Sequence, residues 1–152
     1  MTIDEILHPA DVNLALRADT KTAATEEVMS SLRGDVRVTN WEDFRAVVIE
    51  RDAPAIEHEG RCILIAHGRT KAVSALTMAA GRSEAGIICP ETNLRVHLLF
   101  VAGIPATMDS EYLRLVGAIV RVCRDEALMA DLLDAADGEA FVECLASATE
   151  RL

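Results

Sequence analysis

Stretches in which apolar side chains recur every three or four positions alternate, along this chain, with shorter runs that are apolar throughout. That pattern reads as helices placed before and after a block of strands. Val12-Asn13-Leu14-Ala15-Leu16 alternates apolar and polar side chains behind the breaker Pro9, as a short strand does. Asp19 or Thr20 then caps a helix that runs through Leu32, with Ala24, Val28 and Leu32 on one buried face and Gly34 as its stop. A second helix is announced by Thr39 and Glu42 at capping-box spacing and carries Trp41, Phe44 and Val48 along one stripe. Its last turn brings up Arg51 before Pro54 ends it.

The strand block opens with Cys62-Ile63-Leu64-Ile65-Ala66, a run too short for a helix that closes on His67, with Gly68 as the breaker. Val73 to Met78 reads as a strand ended near Gly81, Gly86-Ile87-Ile88-Cys89 as a shorter one, and Arg95 to Ala102 as the longest apolar strand. Pro90, Gly103 and Pro105 punctuate them. From Asp109, read as an N-cap, Leu113, Val116, Ile119, Val120 and Cys123 recur at helical spacing. Two shorter helices follow, one from near Asp125 with Leu128, Leu132 and Leu133, the other from near Asp137 with Phe141, Cys144 and Leu145. The fold class expected is α/β, as one domain over residues 1–152, with no fixed-period repeat and no linker rich in Pro, Gly or Ser.

Composition supports one sizeable core: 152 residues at 51% hydrophobic content bury enough apolar surface for a single domain. A formal charge of -10, from 25 acidic and 15 basic residues, makes nucleic acid a poor partner and a basic protein surface a plausible one. Cys62, Cys89, Cys123 and Cys144 are widely spaced among apolar neighbours and read as buried free thiols of a reducing compartment. Met1 to Glu5 shows neither a basic leader nor a long apolar segment, and no stretch approaches membrane-spanning length, so a cytoplasmic location is expected.

The chain lacks the GxxxxGK[ST] phosphate loop, the GxGxxG fingerprint and the GxSxG elbow. His58 and Cys62 are near in sequence but straddle a loop and a buried strand, which argues against a metal site there. His8 reads as a solvated loop residue, His58 as a surface histidine between Glu57 and Glu59, and His97 as a hydrogen-bonded structural histidine within an apolar strand. His67 differs: it ends a core strand beside a glycine, two residues before Arg69, where open α/β sheets build their sites. On pattern alone a structural and a functional imidazole remain equally open.

Arg51-Asp52, the sixteen-residue spacing from Arg51 to His67, and Ile65-Ala66-His67-Gly68-Arg69 together resemble the active-site segment of the EIIA domains of the bacterial phosphoenolpyruvate-dependent sugar phosphotransferase system. The branch is that of the fructose, mannitol and nitrogen-related EIIA proteins. Lys21, Phe44 to Asp52, Val96 to Pro105, and Leu133-Asp134-Ala135-Ala136 followed by Glu139 fall in the same order. The resemblance implies a mixed β-sheet of about five strands flanked by helices on both faces. It also implies that His67 accepts a phosphoryl group from the phosphocarrier HPr and passes it to an EIIB domain. Arg51 would stabilise the transferred group, with Arg69 a weaker candidate, and transfer between histidines needs no metal or organic cofactor.

The departures from that family pattern are Ala66 where a proline is usual, the acidic approach Glu57-His58-Glu59-Gly60, and Tyr112 where many members carry a second histidine. A phenol donates one hydrogen bond but does not change charge near neutral pH as an imidazole does. Tyr112 is therefore an orienting group at most, or a helix residue half-buried against the sheet. The altered setting leaves open slow charging of His67, a phosphoryl group that serves as a regulatory signal instead of passing on for sugar uptake, and a regulatory module that binds a partner without phosphotransfer turnover.

Overall fold

A computed structural model describes residues 2–51, 55–90 and 92–149 of the chain. Within them α1 (Ile3–Ile6) leads into β1 (Leu7–Asn13), then α2 (Lys21–Met29), a 3-10 turn (Ser30–Leu32) and α3 (Trp41–Glu50). The strands β2 (Ala55–His58), β3 (Arg61–Arg69), β4 (Thr77–Ile88) and β5 (Arg95–Ile104) follow, and α4 (Asp109–Arg124), α5 (Glu126–Asp134) and α6 (Gly138–Ala148) close the fold. The sheet runs β1-β4-β5-β3-β2. β1 is parallel to β4 and β3 to β5, whereas β4 with β5 and β2 with β3 are antiparallel.

Both faces of this mixed sheet are covered, which is why its central strands read as continuous apolar runs. Ile63 and Ile65 of β3, with Leu98 and Phe100 of β5, join Leu115 and Ile119 of α4 and Phe141 of α6 in one core. Leu64 and Ala66, with Leu99 and Val101, pack against Val28 of α2 and Phe44 and Val48 of α3 in the other. Successive side chains of a strand point to opposite faces, so the parity along β3 fixes which layer each residue meets.

Gly68 does not break β3. The strand continues through it to Arg69, with Gly68 opposite Gly103 of β5, and both glycines lie under α3. A Cβ on Gly68 would stand 2.9 Å from Val48 Cγ2 and 3.3 Å from the Val48 backbone nitrogen; one on Gly103 would stand 3.0 Å from Phe44 Cε1. The glycines let α3 seat closely on the sheet, a packing role that a sequence pattern does not separate from chain breaking.

Other boundaries differ from those the sequence pattern predicts. β1 is Leu7–Asn13, not Val12 to Leu16; Pro9 is accommodated because β1 is an edge strand whose register shifts between Leu7 and Val12. The two strands expected around Gly81 are one, β4, with a register shift between Arg82 and Ile87; Val73 makes only an isolated bridge with Val38. The acidic segment Glu57 to Gly60 is no loop but the end of β2 and its hairpin turn, where Glu59 and Gly60 both adopt positive φ, 52° and 82°. The Gly60 backbone N–H donates to Glu57 Oε1 at 2.7 Å, closing that turn.

Thr20 caps α2, Asp125 caps α5 and Asp137 caps α6 through their side chains, as the pattern indicates. For α3 the cap is Asn40, one residue beyond Thr39. Asp109 is the first residue of α4, not its cap, and that helix buries Leu115, Ala118, Ile119 and Val122, leaving Leu113 exposed. Cys62, Cys89 and Cys123 are buried thiols, while Cys144 is only half-buried. Asp52 and Pro54, read respectively as part of the Arg51 segment and as the stop of α3, lie outside the described residues.

Candidate functional site

The parity that buries Ile63 and Ile65 against the α4 layer directs His67 and Arg69 to the same face, at the end of β3 where it runs parallel to β5. There the first turn of α4 meets them. Tyr112 Oη lies 2.9 Å from His67 Nε2 and 3.3 Å from Nδ1, so the hydroxyl rests against the imidazole near both nitrogens. The two ring centroids are 4.9 Å apart at an interplanar angle of 42°. The phenol can donate its O–H to a ring nitrogen that bears the lone pair or accept from one that carries the proton, so the direction follows the tautomer.

Arg51 reaches the place from the other layer. As the C-cap of α3 it leaves helical geometry, at φ -89° and ψ 116°, and lines an open depression of about 350 Å³ together with His67 and Tyr112. Arg69, Asp109 and Leu113 complete the rim. Arg69 is not a free surface cation: its Nε stands 3.1 Å from Asp109 Oδ1 and a terminal nitrogen donates to the Ala106 carbonyl at 2.7 Å.

Electrostatics suit a nucleophile. Burial, and then the Arg51 guanidinium, push the His67 pKa below its ordinary value, against a smaller opposing pull from the Ile65 backbone. His67 is therefore neutral at neutral pH, with a lone pair to offer. Burial raises the Tyr112 phenol, with Arg51 pulling the other way, so the hydroxyl keeps its proton.

The remaining histidines behave differently. His97 Nδ1 meets the Ser83 carbonyl at 2.8 Å, the structural bond expected of it. His58 Nε2 is 3.8 Å from Glu59 Oε1 at the surface. His8 is exposed but sits in β1, not in a loop. Its imidazole, Asp11 and Asp35 offer ligand atoms within 4.8 Å of one another. Arg37 already supplies the positive charge there, at 2.8 Å from Asp35 and 3.8 Å from Asp11, so the group is a salt-bridge cluster. Cys62 donates to the Arg95 carbonyl and takes no part with His58.

The family model described as phosphoenolpyruvate-dependent sugar phosphotransferase system, EIIA 2, matches residues 5–148. The chain belongs to that EIIA family. A curated relative, the PTS system fructose-specific EIIA component of Haloferax volcanii, is 29% identical over 132 residues, covering 86% of each chain. Among solved structures, the nitrogen regulatory protein IIA-Ntr of Neisseria meningitidis superposes with a TM-score of 0.81 at 20% identity, covering 94% of this chain and 98% of that one. IIA mannitol of Escherichia coli gives 0.72 at 17% identity, covering 90% and 96%. These structural matches establish that this EIIA chain shares their fold.

Within this EIIA chain, His67, Arg51 and Tyr112 line one depression, with Arg69 on the same rim. Ala66, where a proline is usual, adjoins a small cavity of about 60 Å³ on the α3 side, which Lys21 and Arg51 also line. Sequence reasoning missed Asp109 as a member of the site. Its signal was its position three residues before Tyr112, which places both on one helix face.

Proposed function

We propose that this EIIA chain is a single-domain cytoplasmic phosphocarrier in which His67 takes a phosphoryl group from phospho-HPr and delivers it to an EIIB domain. The observation that carries the reading is the convergence of the His67 imidazole and Arg51 on one open depression. The His67 lone pair attacks phosphorus; the donor's N–P bond breaks as the new N–P bond forms, and the electron pair returns to the donor imidazole. Arg51 offers parallel N–H donors to the equatorial oxygens, where negative charge is spread. Tyr112 yields the attacked nitrogen and can turn the same O–H to a phosphoryl oxygen. Arg69 adds a second positive charge on the same rim. EIIB as the acceptor is supported by a structural neighbour, the complex of E. coli IIAMtl with phosphorylated IIBMtl, with a TM-score of 0.72 at 16% identity. Among the described residues no helix is long and apolar enough to cross a membrane.

Incubation with phosphoenolpyruvate, enzyme I and HPr should add one acid-labile phosphoryl group by intact mass, and His67→Ala should add none. A label that persists in His67→Ala, or none in the wild type, overturns the assignment. Arg51→Lys should slow charging about 10- to 100-fold while the protein stays folded, because lysine lacks the fork geometry. An unchanged rate removes Arg51 from the mechanism. The Tyr112 hydroxyl, close to both ring nitrogens, favours one second reading, a regulatory EIIA without turnover. Binding of HPr without charging of His67 would decide for it.

A further inference from the structure

His67 and Arg69 are alternate residues of β3 and project from one face into one depression, yet the Arg69 guanidinium is turned to Asp109. Asp109 opens α4, one turn before Tyr112, so the same helical turn holds both residues that engage the end of β3. The pair is exposed, at 53% for Arg69 and 61% for Asp109, and water screens it. An ion pair in that setting is readily exchanged. A phosphoryl group on His67 would bring up to two negative charges and three acceptor oxygens to the rim that Arg69 already lines.

We propose that Asp109 is a positioning residue that holds Arg69 beside His67 in reserve, and that Arg69 exchanges the Asp109 carboxylate for the phosphoryl group when His67 is charged. The inference rests on the phosphocarrier reading above. The Ala106 carbonyl remains close by as an anchor, so the guanidinium swings without losing every partner. Two consequences follow for this EIIA chain. The phosphorylated form gains a second arginine beyond Arg51, and Asp109 loses its own partner and faces water next to the exposed Leu113. Charging of His67 thereby alters the charge pattern of the α4 surface that an approaching protein meets, with no backbone rearrangement.

The test is a double-mutant cycle read as the equilibrium distribution of phosphoryl groups between HPr and the wild type, Asp109→Asn, Arg69→Gln and the double variant. Asp109→Asn should raise charging about two- to five-fold, the span that an exposed ion pair supports. Arg69→Gln should lower it, and Asp109→Asn should have no further effect in that background. An equal gain in both backgrounds would mean that Asp109 acts only as a nearby negative charge or through the helix end, and the exchange would be overturned. A drop on Asp109→Asn would overturn it as well. Failure of the wild type to charge at all would instead bring down the phosphocarrier reading, and the exchange with it.

Discussion

At His67 three effects meet: burial, the neighbouring Arg51 charge and the Tyr112 hydroxyl. The first two favour the neutral imidazole, so the acid limb of the transfer rate should fall below pH 6.5, the ordinary histidine value. Arg51→Gln removes the cation and should move the His67 titration upward, measured by NMR; a downward move or none would show that Arg51 does not act on the ring. The same shift has a sign for stability. The unfolded chain takes up a proton on His67 at higher pH than the folded one, so this residue's contribution is complete above pH 6.5 and is lost as pH falls through the lower folded value. Tyr112→Phe should preserve the fold and remove about 1 kcal/mol of hydrogen bonding, seen as an altered His67 titration and charging rate. His67 and Arg51 were legible because their spacing is carried by the chain itself. Asp109 was not, because a pairing with Arg69 exists only once β3 and α4 are brought together.

Elements were read well where one face or one cap decided them. Thr20, Asp125 and Asp137 cap their helices by side-chain oxygens, a local interaction that sequence displays directly. Glycines were harder, since the same residue ends a strand, turns a hairpin or admits a helix. Gly68 and Gly103 belong to the last class, and Gly60 to the second. Gly68→Ala should therefore destabilise the fold by about 1–3 kcal/mol through crowding against Val47 and Val48, as urea unfolding would report. A neutral outcome would show that α3 gives way without cost. Because α3 also delivers Arg51, the same substitution should slow charging through a misplaced guanidinium. In α4 the expected Ile119 and Cys123 are buried, but Leu115, Ala118 and Val122 complete the core stripe, and Leu113 faces out. Two offset apolar stripes compete in that helix, and only the packing of the sheet selects between them.

Taken whole, the molecule is a sheet with two cores, and its site lies where the layers meet at one end. The α2 and α3 layer supplies Arg51, the sheet supplies His67 and Arg69, and α4 supplies Tyr112 and Asp109. No single segment holds the site, so the order of family segments along the chain carried more information than any one motif. The net charge of -10 makes long-range attraction to a basic partner face the expected means of docking. Affinity for HPr should then weaken as ionic strength rises, measured by titration at two salt concentrations. Salt-independent binding would place the attraction in apolar contact around Leu113 instead. Which of the four histidines takes the phosphoryl group is read by NMR of the imidazole nitrogens in nitrogen-15-labelled protein, before and after charging by phospho-HPr. The result expected is a shift of the His67 ring alone, reversed by mild acid. A shift at His8, His58 or His97, or unchanged rings throughout, would mean that His67 is not the phosphoryl acceptor.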